Sequence, residues 1–155
     1  MKYVNTGVVF QEIPDEVTLS INISNCPCHC KGCHSAYLWE DIGEPLTAMT
    51  LNQMLEKYED DITCICFMGG DGDTKVVNSL AQWLKMSHPN MHIGWYSGRE
   101  KLSANIDLKN FDYIKLGPYI EAKGGLNKET TNQKLYKVTN KEMTDITYRF
   151  WKKKL

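Results

Sequence analysis

The hydrophobic pattern changes period several times along the chain. From Val17 to Ser24, "VTLSINIS", apolar residues fall at 17, 19, 21 and 23, the period of two that marks a half-buried strand. This segment runs directly into "NCPCHCKGCHSAYLW" (25–39), which reads as a loop at the strand's end. In "TLNQMLEKYED" the apolar positions Leu51, Met54, Leu55 and Tyr58 recur at helical spacing, and Thr50 followed by Gln53 has the form of a capping box. "ITCICFMGGDGD" (62–73) is an almost unbroken apolar run ending in glycines. That is the pattern of a strand buried on both faces of a parallel sheet, with its loop at the sheet's carboxyl edge. A helix is predicted in "TKVVNSLAQWLKMSHP", with Val76, Val77, Leu80, Trp83 and Leu84 inward and a stop near Pro89. "MHIGWYSG" then reads as a strand, "REKLSANI" as a short helix and "FDYIKLGPY" as a strand; after an irregular glycine-containing stretch, "KLYKV" reads as another strand.

This mostly β, α, β, α, β order predicts an α/β fold with a parallel sheet. A chain of 155 residues suits a single domain, 1–155. Lys and Arg (18) nearly balance Asp and Glu (19), so no broad positive field exists to attract a polyanion, and nucleic acid is not an expected partner. Glu12, Asp15 and Glu16 interrupt any apolar leader, and no run reaches the length of a membrane span. A soluble, cytoplasmic protein with no membrane partner is expected. The basic end "RFWKKKL" is read as a solvated terminus.

The candidate chemistry lies in the cysteines. Four of the six occur within the eight positions 26–33, and in a reducing compartment such clustering points to metal binding or catalysis rather than structural disulfides. Cys26, Cys30 and Cys33 have the spacing C-x3-C-x2-C. Three thiolates from one loop can hold three corners of a [4Fe–4S] cluster and leave one iron open to another ligand. Cys28, His29 and His34 also keep zinc ligation open. Cys64 and Cys66, two apart on a strand, share a face. They are either small buried apolar residues or the completion of a zinc site with Cys30 and Cys33. In the Gly69–Gly70–Asp71 loop, glycines would let the backbone approach a ligand and the carboxylate could accept from an ammonium.

The loop "C-PCH-C-KG-C-HS", followed downstream by "FMGGD", resembles the radical S-adenosylmethionine enzymes. More specifically, "CKGCHSAYLW", "GWYSG" and "KETTNQKLY" resemble segments of the activating proteins of anaerobic ribonucleoside-triphosphate reductase, along nearly the full length. The resemblance implies a partial, laterally open (β/α) barrel, because 155 residues are too few for a closed one. It implies a [4Fe–4S] cluster held by Cys26, Cys30 and Cys33, and S-adenosylmethionine as the second cofactor. Gly32, Cys33 and His34 would contact the nucleoside, Gly69, Gly70 and Asp71 the methionine amino group, and Ser97 and Lys115 the ribose or carboxylate. The implied activity is reductive cleavage of S-adenosylmethionine and removal of a hydrogen atom from a glycine of the large reductase subunit. The electron would come from a donor such as a flavodoxin or ferredoxin. Asn132 and Gln133 match the family's late motif. Activation of a different glycyl-radical enzyme, or a non-catalytic zinc-binding interaction module using cysteines 28–33 and 64–66, are the alternatives.

Overall fold

The computed structural model describes residues 1–33 and 35–151; His34 and the closing "KKKL" lie outside the described residues. Eight strands form one mixed sheet: β1 Lys2–Val9, β2 Thr18–Ile23, β3 Glu44–Pro45, β4 Cys64–Met68, β5 His92–Tyr96, β6 Tyr113–Leu116, β7 Lys134–Thr139 and β8 Glu142–Asp145. Their spatial order is β3-β1-β2-β4-β5-β6-β7-β8. The helices α1 (Ala48–Tyr58) and α2 (Thr74–Ser87) connect β2 to β4, by way of β3, and β4 to β5.

The run β2-β4-β5-β6 is parallel, with Ser20 beside Cys66, Cys66 beside Gly94, and Gly94 beside Tyr113. Each step moves the same way across the sheet, and right-handed crossovers then require both helices on one face. Packing agrees with this. Leu51 and Leu55 of α1 and Val77, Leu80 and Leu84 of α2 join Ile21, Ile65, Phe67, Ile93 and Ile114 in one core. The alternate residues Cys64, Cys66, Tyr113 and Leu135 form a second, smaller cluster with Ile13 on the opposite face. The unbroken apolar run of β4 reflects burial on both faces, and fully burying each large aliphatic side chain contributes roughly 1.5–3 kcal/mol.

The expected open (β/α) barrel is not formed. A barrel of that type needs a helix after nearly every strand, and here only two α-helices occur among the described residues. Antiparallel strands flank the parallel run on both sides, β1 and β3 at one edge and β7 and β8 at the other. The result is a mixed eight-stranded sheet with helices on one face. The expected helix in "REKLSANI" is also absent. There the Ser103 hydroxyl lies 2.9 Å from Thr74 Oγ1 and accepts from Asn105 N at 3.2 Å, side-chain bonding that competes with a helix. A single 3-10 turn, Leu108–Asn110, precedes β6 instead.

At the amino end of the parallel strands, the buried Glu16 carboxylate moors the β1–β2 connection. It accepts from Thr63 Oγ1 at 2.7 Å and Tyr113 Oη at 2.7 Å, and lies 2.6 Å from His92 Nδ1. Burial, and then the bond to Glu16, push the Tyr113 phenol upward. His92 is thus the exposed first residue of β5, with one ring nitrogen committed.

Helix α1 begins earlier than its sequence pattern indicates. Thr47, not Thr50, is the N-cap; Thr47 Oγ1 accepts from Thr50 N at 3.2 Å and Thr50 Oγ1 accepts from Thr47 N at 2.7 Å. Thr47→Ala should therefore lower stability by about 1 kcal/mol, and Thr47→Ser by much less. A urea midpoint that falls for both equally, or for neither, would show that the cap has been misplaced.

Candidate functional site

The cysteine loop is closed at its neck by backbone bonds from Asn25 N to Glu40 O and from Cys26 N to Leu38 O, each 2.9 Å. Leu38 anchors it in the interior. Between these points the chain turns through left-handed conformations at Asn25, His29 and Gly32. Gly32 has φ +79° and lies in the turn where Cys33 N donates to Cys30 O at 3.1 Å. A β-carbon there would approach Glu121 Oε2 to 2.9 Å, so both conformation and space favour glycine. His29 stacks on Trp39 at 4.7 Å with rings 10° apart, which pins the loop's middle to its exit.

All four loop cysteines are free and partly exposed. Cys33 Sγ accepts from Ser35 N at 3.4 Å. The neighbouring Cys28 side chain draws the Cys26 thiol downward. The same contact, then burial, push Cys28 upward.

Strand β4 delivers the second part of the site. Gly69 and Gly70 have φ +110° and +96°, and a β-carbon on Gly70 would lie 2.5 Å from Val77 Cγ2. Trp95 Nε1 donates to Gly69 O at 2.7 Å, fixing the turn against β5. Asp71 then reaches across the edge. Its Oδ1 accepts from Ser97 Oγ at 2.6 Å, and its Oδ2 from Gly98 N at 2.8 Å and Cys28 Sγ at 3.5 Å. From β6, Lys115 Nζ donates to Ser97 O at 3.0 Å and Gly117 O at 2.8 Å. Burial lowers its ammonium to about 8, against the opposing pull of Asp71 and of Cys30, Cys28 and Cys26.

The carboxyl edge thus gathers the cysteine loop, Gly69 to Asp71, Ser97 and Lys115. Ser97 is buried with its hydroxyl committed to Asp71 and to Arg99 N at 3.1 Å, so it orients the carboxylate. His34 lies outside the described residues. Asn132 serves the fold, since its Nδ2 donates to Pro118 O at 3.0 Å and closes the segment between β6 and β7. Gln133 is buried beside it.

Cys64 and Cys66 do not join this edge. Both are fully buried in the second core cluster, and burial pushes both thiols upward, away from the thiolate that binds metal. The four-cysteine zinc site is therefore not assembled. Two contributors escaped sequence reasoning. Gly98 bonds Asp71 while a β-carbon there would meet Cys28 Sγ at 2.9 Å, and Glu121 approaches Gly32 from 89 residues along the chain. Gly98 closes the "GWYSG" segment, but nothing in that pattern signals its contacts with Asp71 and Cys28, and Glu121 belongs to no local pattern.

A cluster of soft thiol donors on a short loop, beside a buried cation, is a site of iron–sulfur type. The donor chemistry and partial exposure fit such a group, although among the described residues no three Cys, His, Asp or Glu side chains are drawn together as a preformed metal site. The chain belongs to the 4Fe-4S single cluster domain family, whose model matches residues 16–139. It is a [4Fe–4S] cluster-binding domain. No curated protein and no solved structure matches it. Among the described residues no helix is long and apolar enough to cross a membrane.

Two sets of variants probe this geometry. Joint Cys64→Ala and Cys66→Ala substitution should leave iron and sulfide content unchanged after anaerobic reconstitution; loss of iron would return these thiols to the site. Gly70→Ala should lower stability by about 1–3 kcal/mol through its left-handed backbone and the Val77 contact. Gly7→Ala, into open space, should change the same urea midpoint little, and equal effects would refute the tight-turn assignment.

Proposed function

We propose that the chain is a glycyl-radical activase of the radical S-adenosylmethionine type, acting on anaerobic ribonucleoside-triphosphate reductase. The observation that carries this reading is the meeting of the cysteine loop with Asp71, whose Oδ2 lies 3.5 Å from Cys28 Sγ while Ser97 and Gly98 fix its orientation. When bound, the cluster would supply the electron for reductive cleavage of S-adenosylmethionine, the chemistry needed to remove a hydrogen atom from a glycine of the large reductase subunit.

The chain's own residues would do the positioning. Cys26, Cys30 and Cys33 would hold three irons and leave the fourth open. Gly69 and Gly70 would present backbone carbonyls to the methionine ammonium, and Asp71 an aligned carboxylate. Gly32 and Cys33 would offer backbone to the nucleoside; the same contact proposed for His34 lies outside the described residues. Ser97 would act through Asp71, and a flavodoxin or ferredoxin would deliver the electron.

The choice of reductase rests on the resemblance of "CKGCHSAYLW", "GWYSG" and "KETTNQKLY" to its activating proteins. The site arrangement alone would serve another glycyl-radical enzyme equally well.

The test uses anaerobically reconstituted protein reduced with dithionite. Adding S-adenosylmethionine should change the electron paramagnetic resonance signal of the cluster and release 5′-deoxyadenosine. Cys26→Ala, Cys30→Ala and Cys33→Ala should each abolish that release, while Cys28→Ala should retain part of it. A glycyl-radical signal on added reductase would establish the partner. A cluster that neither responds to S-adenosylmethionine nor releases 5′-deoxyadenosine would contradict the reading.

A further inference from the structure

Among the described residues two charged side chains are buried, Glu16 and Lys115, and they occupy opposite ends of the parallel strands. Glu16 is balanced by a local polar network, including His92 at 2.6 Å. Lys115 instead bonds two neutral carbonyls, Ser97 O at 3.0 Å and Gly117 O at 2.8 Å. Through Ser97 it adjoins the site: the Ser97 hydroxyl donates to Asp71 at 2.6 Å, and Asp71 Oδ2 accepts from Cys28 Sγ at 3.5 Å. The charges of Asp71 and of the loop cysteines favour its protonated form. Burial excludes the water that would otherwise screen this charge. The Tyr96 ring, 5.8 Å away, covers another side of the ammonium.

We infer that Lys115 sets the reduction potential of the cluster, acting as a fixed positive charge that favours the reduced state. One-electron reduction of a [4Fe–4S] cluster adds one negative charge to it, with dithionite or a low-potential electron-transfer protein as reductant. A nearby buried cation stabilises that added charge and raises the midpoint. Asp71 does not reverse the sign. Its carboxylate is oriented by Ser97 and Gly98, and removing Lys115 makes the surroundings more negative whatever charge Asp71 carries. Arg99 also acts on the loop, through Cys28, but is exposed and therefore screened. The two carbonyl bonds position the charge: Lys115 ties the ends of β5 and β6 together and cannot swing into solvent without breaking them.

This inference rests on the cluster that the family carries and does not require S-adenosylmethionine cleavage. The experiment is a redox titration of reconstituted wild type, Lys115→Met, Lys115→Gln, Lys115→Arg and Arg99→Gln, read by electron paramagnetic resonance, with iron and sulfide counted for each. At the wild-type midpoint, both neutral Lys115 variants should show about a tenfold lower ratio of reduced to oxidised cluster, equivalent to a downward shift of about 59 mV for one electron. Lys115→Arg, which keeps the charge, and Arg99→Gln, which removes a screened one, should stay close to wild type. A neutral Lys115 variant with full iron and sulfide at the wild-type midpoint would overturn the inference. Loss of the cluster from both neutral variants while Lys115→Arg retains it would also overturn it, assigning Lys115 to cluster assembly. Absence of 5′-deoxyadenosine from a wild type showing the expected shifts would refute the proposed function alone.

Discussion

The shared direction of β2, β4, β5 and β6 is the constraint from which the site follows. Parallel strands must all end at the same edge, so the segments leaving β2, β4 and β5 emerge side by side although they are far apart in sequence. Ser20, Cys66, Gly94 and Tyr113 mark one row of that register. A few residues further along each strand lie the cysteine loop, Asp71, Ser97 and Lys115. The helices cover one face, and irregular chain covers much of the other, leaving the thiols at the edge partly exposed.

At that edge polar groups are satisfied in a chain: Lys115 on the Ser97 carbonyl, the Ser97 hydroxyl on Asp71, and Asp71 on Gly98 N and Cys28. Leaving such groups buried and unpaired costs about 1–3 kcal/mol each, more for a charge. The network therefore orders the turns after β4 and β5 as well as the carboxylate. Glycines allow the close approach, at Gly70 against Val77 and at Gly98 against Cys28. Stability and site geometry are coupled here because the same contacts serve both.

Much of this organisation was legible in the sequence. The period-two run before Cys26, the apolar run of β4 and the amphipathic α2 were strong local signals, and each produced the expected element at nearly the expected place. The clustering of four cysteines within 26–33 pointed toward metal chemistry for the same reason, its information being local, and the family match makes that chemistry a [4Fe–4S] cluster. The barrel expectation failed because it came from a resemblance carried by short motifs, whereas β1 and β8 are partly or largely exposed flanking strands without clean alternation. A turn signal for β8 was available at Asn140 and Lys141, both left-handed between paired strands. The N-cap of α1 was displaced because Thr47 and Thr50 both carry suitable hydroxyls. Contacts such as Asp71 to Gly98 or Gly32 to Glu121 depend on tertiary placement, which no short pattern encodes.

The most direct measurement of the central claim, that the cluster sits where these segments converge, is amide hydrogen exchange of the anaerobic protein with and without its [4Fe–4S] cluster. Expected on loading is slower exchange in the cysteine loop together with Gly69 to Asp71, Ser97 to Gly98 and Lys115 to Gly117, with the amino ends of the strands around Glu16 and His92 unchanged. Slowing confined to the interior of β4 near Cys64 and Cys66, or to the amino ends of the strands, would place the cluster elsewhere and contradict the assignment.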